Sequence, residues 1–179
     1  MSTTRFLLAG FGGQGILFVG KILAYKGLVD ERQLSWLPSY GPEMRGGTAN
    51  CSVILSDEPI GSPIVDRPDV LLAMNLPSLD KYENAVVPGG KIFVDSTLIG
   101  RKVARTDVEV YYVPATGMAN EKGYTGLANM ILLGKIMAVC PDIGERNIEA
   151  TLHKVISARH QDLYDKNLAA IRLGYEYQD

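Results

Sequence analysis

The stretch Gly10-Phe11-Gly12-Gly13-Gln14-Gly15 limits what this chain can fold into more than any other. It follows Phe6-Leu7-Leu8-Ala9, a short apolar run that reads as a strand buried on both faces. Behind it, Ile16, Val19, Leu23 and Gly27 recur at the spacing of one helix face between Ile16 and Leu28. The segment is therefore a strand, a tight glycine turn and a helix, with G-x-G-x-x-G spacing at the junction. Glycines there let the backbone turn sharply and approach a ligand, and the helix N-terminus offers unpaired N–H groups and partial positive charge. Three readings are open: a loop that contacts a phosphate-bearing ligand, a turn that only packs helix on sheet, and a nicotinamide dinucleotide site. The last expects an acidic residue about 20 positions on, at the end of the second strand. Asp30 and Glu31 precede that strand, and Pro38, Ser39 and Tyr40 stand at its end.

Further apolar runs read as strands at Leu34–Leu37, Ala49–Leu55, Val70–Met74, Lys91–Asp95 and Glu109–Val113. A short helix is expected near Ser78–Asn84. Helices are also expected over Asn120–Val139, Glu145–Ala158 and Gln161–Leu173. Strands that are apolar throughout and alternate with helices imply a largely parallel sheet covered on both sides. No helix separates the second and third strands, so that pair, and the connection through Pro63, should add antiparallel pairing. The expected fold is a three-layer α/β/α, Rossmann-like domain with a mixed, largely parallel sheet. Its helical C-terminal third wraps one face or reaches a partner. Without repeats or a linker, residues 1–179 read as a single domain.

Composition removes several function classes. A net charge of −2 with no basic block argues against nucleic acid as a partner. The only cysteines, Cys51 and Cys140, are far apart, whereas a thiolate-bound metal or iron–sulfur site needs about four thiolates. Both read as buried apolar residues in a reducing compartment. With no export leader and no run of the ~18 apolar residues of a membrane span, the expected location is the cytoplasm, away from the membrane.

Tyr40-Gly41-Pro42-Glu43-Met44-Arg45-Gly46-Gly47-Thr48 falls just past the carboxyl end of the second strand, where open α/β sheets place ligands. Pro42 stiffens this loop, while Gly46 and Gly47 allow positive φ or close approach of another chain. Arg45 is a natural clamp for carboxylate or phosphate, and Glu43 is near enough to pair with it. A solvated turn with an incidental ion pair is the bland alternative.

GFGGQG at Gly10–Gly15 together with YGPEMRGG at Tyr40–Gly47 resembles the γ subunits of the 2-oxoacid:ferredoxin (acceptor) oxidoreductases. Ser62-Pro63-Ile64, Arg67-Pro68-Asp69 and Gly126–Gly134 extend the likeness over nearly the whole chain. The second loop lacks the His and Gln of the indolepyruvate-type relatives and is nearest to the 2-oxoglutarate type. The resemblance implies a multi-subunit enzyme that oxidatively decarboxylates a 2-oxoacid with coenzyme A. Its products are acyl-CoA, CO2 and reduced ferredoxin or another acceptor. It further implies α and β partners, and a δ subunit where one is present. Thiamine diphosphate then sits between α and β, and the iron–sulfur clusters lie on other subunits. The positions read as cofactor-binding are Gly10, Gly12, Gly13, Gln14, Gly15, Tyr40, Glu43, Met44, Arg45, Gly46 and Gly47, together with Asn129, which either faces the glycine loops from a helix or is a satisfied buried amide; no catalytic or metal-binding residue is assigned. The alternative is a stand-alone module that binds a dinucleotide or another phosphate ligand through Gly10–Gly15.

Other candidates have ordinary explanations. His153 and His160 lack a second ligand or a nucleophile at useful spacing. Asp95-Ser96-Thr97 reads as a cap or turn. Met44, Met118, Met130 and Met137 read as filler. Trp36, Tyr175 and Tyr177 are candidate interface anchors.

Overall fold

In the computed structural model, residues 2–39 and 48–178 are described. Strand β1 (Thr3–Phe11) leads through the glycine turn into α1 (Ile16–Val29), followed by β2 (Gln33–Pro38) and β3 (Thr48–Ser56). Next come β4 (Val70–Ala73), α2 (Leu76–Tyr82) with a 3-10 turn at Glu83–Ala85, β5 (Lys91–Asp95) and β6 (Glu109–Val113). The chain ends in α3 (Ala115–Glu121), α4 (Ala128–Val139), α5 (Ile148–Val155) and α6 (Gln161–Glu176).

The strands form one sheet in the order β2-β3-β1-β4-β5-β6. β3 runs antiparallel to both β1 and β2, whereas the β1–β4, β4–β5 and β5–β6 pairings are parallel. The mixed, mostly parallel sheet is thus the one expected. The antiparallel contribution comes from β3 alone, and the Pro63 connection forms no strand. The apolar character of the central strands follows from burial on both sides: β4 is buried at all four positions. Phe6, Leu8, Leu72 and Phe93 face a large core with α1, α4 and α6. Leu7, Leu71, Ile92 and Val94 face a smaller one with Leu79 of α2, Val86 and Ile99.

The two helical layers are unequal. α1 packs on β3, β2 and β1, while α4 lies against β5 with α6 outside it. α4 is consequently buried from Ala128 through Met137, which explains its lack of a polar face. The C-terminal helices wrap one face of the sheet, the first of the two expected possibilities.

One expectation fails here. The helix foreseen over Asn120–Val139 is two helices, because Gly123 (φ 73°) and Gly126 (φ 85°) turn the chain between them. Left-handed glycines end α-helices, since the αL conformation costs them nothing. The earlier helix starts instead at Ala115, behind Pro114.

Candidate functional site

The glycine turn stands at the carboxyl end of β1, next to β4. Helix α1 runs back from it on one face, and α2 starts from the end of β4 on the other, so the turn lies where connections diverge to opposite faces. Open α/β sheets place ligands at such crevices. Gly12 and Gly13 are exposed, and the first turn of the 14-residue α1 carries no acidic residue to offset its positive end.

Two side chains fix the turn. Gln14 Oε1 accepts from the Phe11 N–H at 2.6 Å, and Gln14 Nε2 donates to the Met74 carbonyl at 3.0 Å. Gln14 therefore ties the turn to the end of β4 rather than extending towards solvent. Gly15 caps α1 in the left-handed region (φ 76°), where a β-carbon would also fall on the carboxamide of Asn129. Asn129 is buried, donates from Nδ2 to the Gly15 carbonyl at 3.2 Å, and accepts from the Met130 N–H at Oδ1. It faces the turn as expected, and it braces the turn from below.

The dinucleotide reading loses its second half. Asp30 and Glu31 lie at the far end of α1, with Asp30 held by the buried Lys26 ammonium and by Asn147 Nδ2. Neither carboxylate can reach a ribose at the turn, since a 14-residue helix is about 21 Å long.

Tyr40, Glu43, Met44, Arg45, Gly46 and Gly47 lie outside the described residues. Their flanks place the loop's two ends. Ser39 N–H donates to the Asn50 carbonyl at 2.9 Å, and the β1–β3 register sets residue 48 opposite Phe11. Residue 48 thus re-enters the sheet alongside the first glycine turn.

One feature of this edge escapes the sequence reading, and a second goes beyond it. Asn75 caps α2, its Oδ1 accepting from the Ser78 N–H at 2.8 Å. The signal was present in Asn75-Leu76-Pro77-Ser78, a cap followed by an early proline. Asp95, fully buried at the end of β5, accepts from Thr97 N–H at 3.1 Å and from Thr116 Oγ1 at 2.6 Å. It closes its own turn and pins the start of α3, which extends the expected turn role.

Cys51 and Cys140 are both buried, and burial pushes their thiols up to about 12 and about 11. Two distant thiols held neutral are poor cluster ligands, so an iron–sulfur centre does not fit this chain. Among the described residues, no group of three or more His, Cys, Asp and Glu side chains is placed to hold a metal, and no helix is long and apolar enough to cross a membrane. His153 stacks on Tyr164 at 4.2 Å, and His160 precedes α6. Met130 and Met137 are core residues, and Met118, Trp36, Tyr175 and Tyr177 pack against the same core. Met44 lies outside the described residues. A cavity of about 400 Å³ lined by Asp69, Gly90, Lys91, Cys140 and Asp142 opens at the opposite edge of the sheet from the glycine turn.

Residues 5–177 match the family described as pyruvate ferredoxin/flavodoxin oxidoreductase. The chain belongs to this family. It is 35% identical to the 2-oxoglutarate synthase subunit KorC of Methanocaldococcus jannaschii, over 94% of this chain and 90% of that one. It is 40% identical to the ketoisovalerate oxidoreductase subunit VorA of Methanothermobacter thermautotrophicus, over 97% of its own length. That match spans only 36% of VorA, so this family member corresponds to about a third of the longer relative. Among solved structures, the keto/oxoacid ferredoxin oxidoreductase γ subunit of Geobacter sulfurreducens superposes with a TM-score of 0.82 at 27% identity. The likeness covers 97% of this chain and 96% of that one.

Proposed function

We propose that this chain is the γ subunit of a multi-subunit enzyme that oxidatively decarboxylates a 2-oxoacid with coenzyme A, giving acyl-CoA, CO2 and a reduced ferredoxin or other acceptor. The observation that carries the reading is the likeness to the keto/oxoacid ferredoxin oxidoreductase γ subunit, which covers 97% of this chain and 96% of that one. The absence of a cluster-competent cysteine set agrees with a chain that leaves electron transfer to others. Thiamine diphosphate and the iron–sulfur clusters then belong to the α, β or δ partners, and residues 1–179 act as one domain of the assembly.

Within that assembly, the two glycine loops shape the region where substrate and coenzyme A approach. Gly12 and Gly13 present an exposed, uncharged turn at the positive end of α1, Gln14 and Asn129 hold its shape, and Arg45 supplies a cation for a carboxylate or phosphate. The second loop favours 2-oxoglutarate as substrate, while a ketoisovalerate relative is nearer in identity, 40% against 35%, so both acids belong in the assay.

Co-expression with companion α and β chains should yield a stable complex that reduces acceptor with one 2-oxoacid of a panel, while the isolated chain shows no turnover. Full turnover by the chain alone rejects the proposal. Arg45→Ala should leave the fold intact and raise the coenzyme A requirement of the complex or weaken its assembly; wild-type behaviour in both removes Arg45 from the site. Tight binding of NAD(H) by the isolated chain would instead favour a stand-alone dinucleotide module, which the placement of Asp30 and Glu31 disfavours.

A further inference from the structure

The parallel pair β5–β6 is joined without a helix. Parallel neighbours need a long crossover, and a helix is the usual one, yet residues 96–108 form neither helix nor strand. The segment still covers part of the sheet. Ile99 belongs to the smaller core with Leu79, Val86, Ile92 and Val94, and Val103 and Val108 pack against that core.

The ends and the middle of this crossover are held differently. At its start, the Leu98 and Ile99 N–H groups donate to the Asp95 carbonyl at 3.2 and 3.0 Å; at its end, the Asp107 carbonyl accepts from the Gly89 N–H at 2.7 Å. Between them, residues 100–106 make no backbone-to-backbone hydrogen bond among the described residues. Their anchors are side chains and turns of other elements. Glu83, in the 3-10 turn behind α2, supplies three: Oε2 accepts from Arg101 Nη2 at 2.6 Å, Oε1 from the Ala104 N–H at 2.8 Å, and its carbonyl from Arg105 Nη1 at 3.1 Å. Arg105 Nη1 also donates to the Val86 carbonyl, and the Tyr112 hydroxyl accepts from the Val103 N–H at 2.9 Å. The Glu83 side chain is 6% exposed, whereas Asp80, the other carboxylate on Arg101, is 55% exposed. Exposed ion pairs contribute little, and hydrogen bonds to a sheltered charge contribute more. Glu83 is therefore the main fastening.

Proteins open locally where stability is lowest, and a segment without a backbone hydrogen-bond ladder is such a place. We infer that residues 100–106 are a detachable strap latched by the Glu83 carboxylate. They open as a unit while β4, β5 and α2 stay folded, and opening lifts Val103 from the smaller core. One buried carboxylate thereby sets how often that side of the sheet is uncovered. The large core, with α1, α4 and α6 on the opposite face, takes no part.

Hydrogen exchange and brief trypsin digestion of the full-length protein under native conditions test this. In the unmodified protein the Val103 and Ala104 amides should exchange at least tenfold faster than those of β4 and β5. Glu83→Gln keeps the shape of the side chain but turns an amide NH2 against one of its two donors, Arg101 or the Ala104 N–H. It should speed strap exchange, and tryptic cleavage after Arg101, Lys102 or Arg105, tenfold or more, with exchange in β4 and β5 changing less than threefold. Tyr112→Phe loses only the Val103 bond and should raise strap exchange by less than Glu83→Gln does. Asp80→Asn, which removes the exposed partner of Arg101, should change it less than twofold. Equal exchange of the strap and of β5 in the unmodified protein would show that the strap opens only with the whole fold, and the inference falls whether or not any variant can be purified. It falls too if Glu83→Gln speeds the strap, β4 and β5 alike, because the residue then stabilises the fold at large rather than the strap.

Discussion

Asn129 and Gly15, 114 residues apart in sequence, are fitted to one another: the Asn129 carboxamide donates to the Gly15 carbonyl at 3.2 Å and fills the space that a β-carbon at Gly15 would need. The left-handed backbone at Gly15 alone makes Gly15→Ala cost about 1–3 kcal/mol, and the collision with Asn129 adds to it. Asn129→Ala removes the collision and also two hydrogen bonds, costing about 1–3 kcal/mol by itself. The double variant should therefore be more stable than the sum of the singles predicts, by at least about 0.5 kcal/mol. Urea unfolding of all four forms measures that coupling, and strict additivity would show that the two residues are not in contact.

Gln14 is a second joint of the turn, with its acceptor on the Phe11 N–H and its donor on the Met74 carbonyl. Gln14→Glu keeps the first bond and sets a carboxylate against a carbonyl oxygen at the second. Gln14→Leu loses both bonds, leaving the Phe11 N–H at the exposed turn and the carbonyl of the buried Met74 without this donor. The expected order of stability is wild type, then Leu within about 0.5–1.5 kcal/mol, then Glu at neutral pH, with Glu recovering in acid as the side chain protonates and can donate. Thermal melts at pH 4 and pH 7 check the order; a Glu variant with no pH response there would show that the Met74 contact does not form.

Much of this architecture is readable in one dimension. The β5 and β6 bounds coincide with their apolar runs, and the first strand, turn and helix are marked by glycine spacing and helical periodicity. Local chemistry dictates such features. Even the break between α3 and α4 was present, since Gly123-Tyr124-Thr125-Gly126 interrupts the helical pattern, but the surrounding apolar residues outweighed it. Long-range pairings were not legible. Asn129 could be suspected of facing the turn, yet its contact with Gly15 depends on how α4 crosses α1. Asp95 could be read as a turn residue, but its hold on Thr116 exists only because β5 and β6 are neighbours.

Gly134 of α4 and Gly174 of α6 permit a close helix crossing in the large core. A β-carbon at Gly134 would fall on the Ile171 carbonyl oxygen, and one at Gly174 on the Ile131 carbonyl oxygen. These neighbours are helix backbone and cannot swing aside as a side chain can. Overpacking of this kind costs about 1–3 kcal/mol and often more, so Gly134→Ala and Gly174→Ala should each fall at or beyond the top of that range. Gly61, whose β-carbon would meet nothing within 4 Å, is the control, with an effect within about 0.5 kcal/mol expected for Gly61→Ala. Chemical denaturation separates the cases, and a mild Gly134→Ala would mean that α6 can slide away from α4 at little cost.

Cys51 gives the structure a defined response to alkali. Its thiol is fully buried and donates to the Ile16 carbonyl at 3.8 Å; burial pushes its pKa up from 9.0 to about 12, with the Trp36 indole pulling weakly the other way. In the unfolded chain the thiol ionises near pH 9, whereas in the folded chain it stays protonated until about 12. Above pH 9 the unfolded state therefore binds fewer protons, and stability falls as pH rises. The contribution is fully present below pH 9 and is lost through the window from 9 to about 12, at about 1.4 kcal/mol per pH unit for this one group. Cys140 and Tyr164 are shifted in the same direction and titrate in the wild type and the variant alike. The comparison that isolates Cys51 is the pH slope of stability in wild type against Cys51→Ala, read from urea midpoints at pH 8, 9.5 and 10.5. The variant is less stable at pH 8 because of the lost packing, but its decline with pH should be shallower. Parallel slopes would mean that the Cys51 thiol is open to solvent in the folded protein.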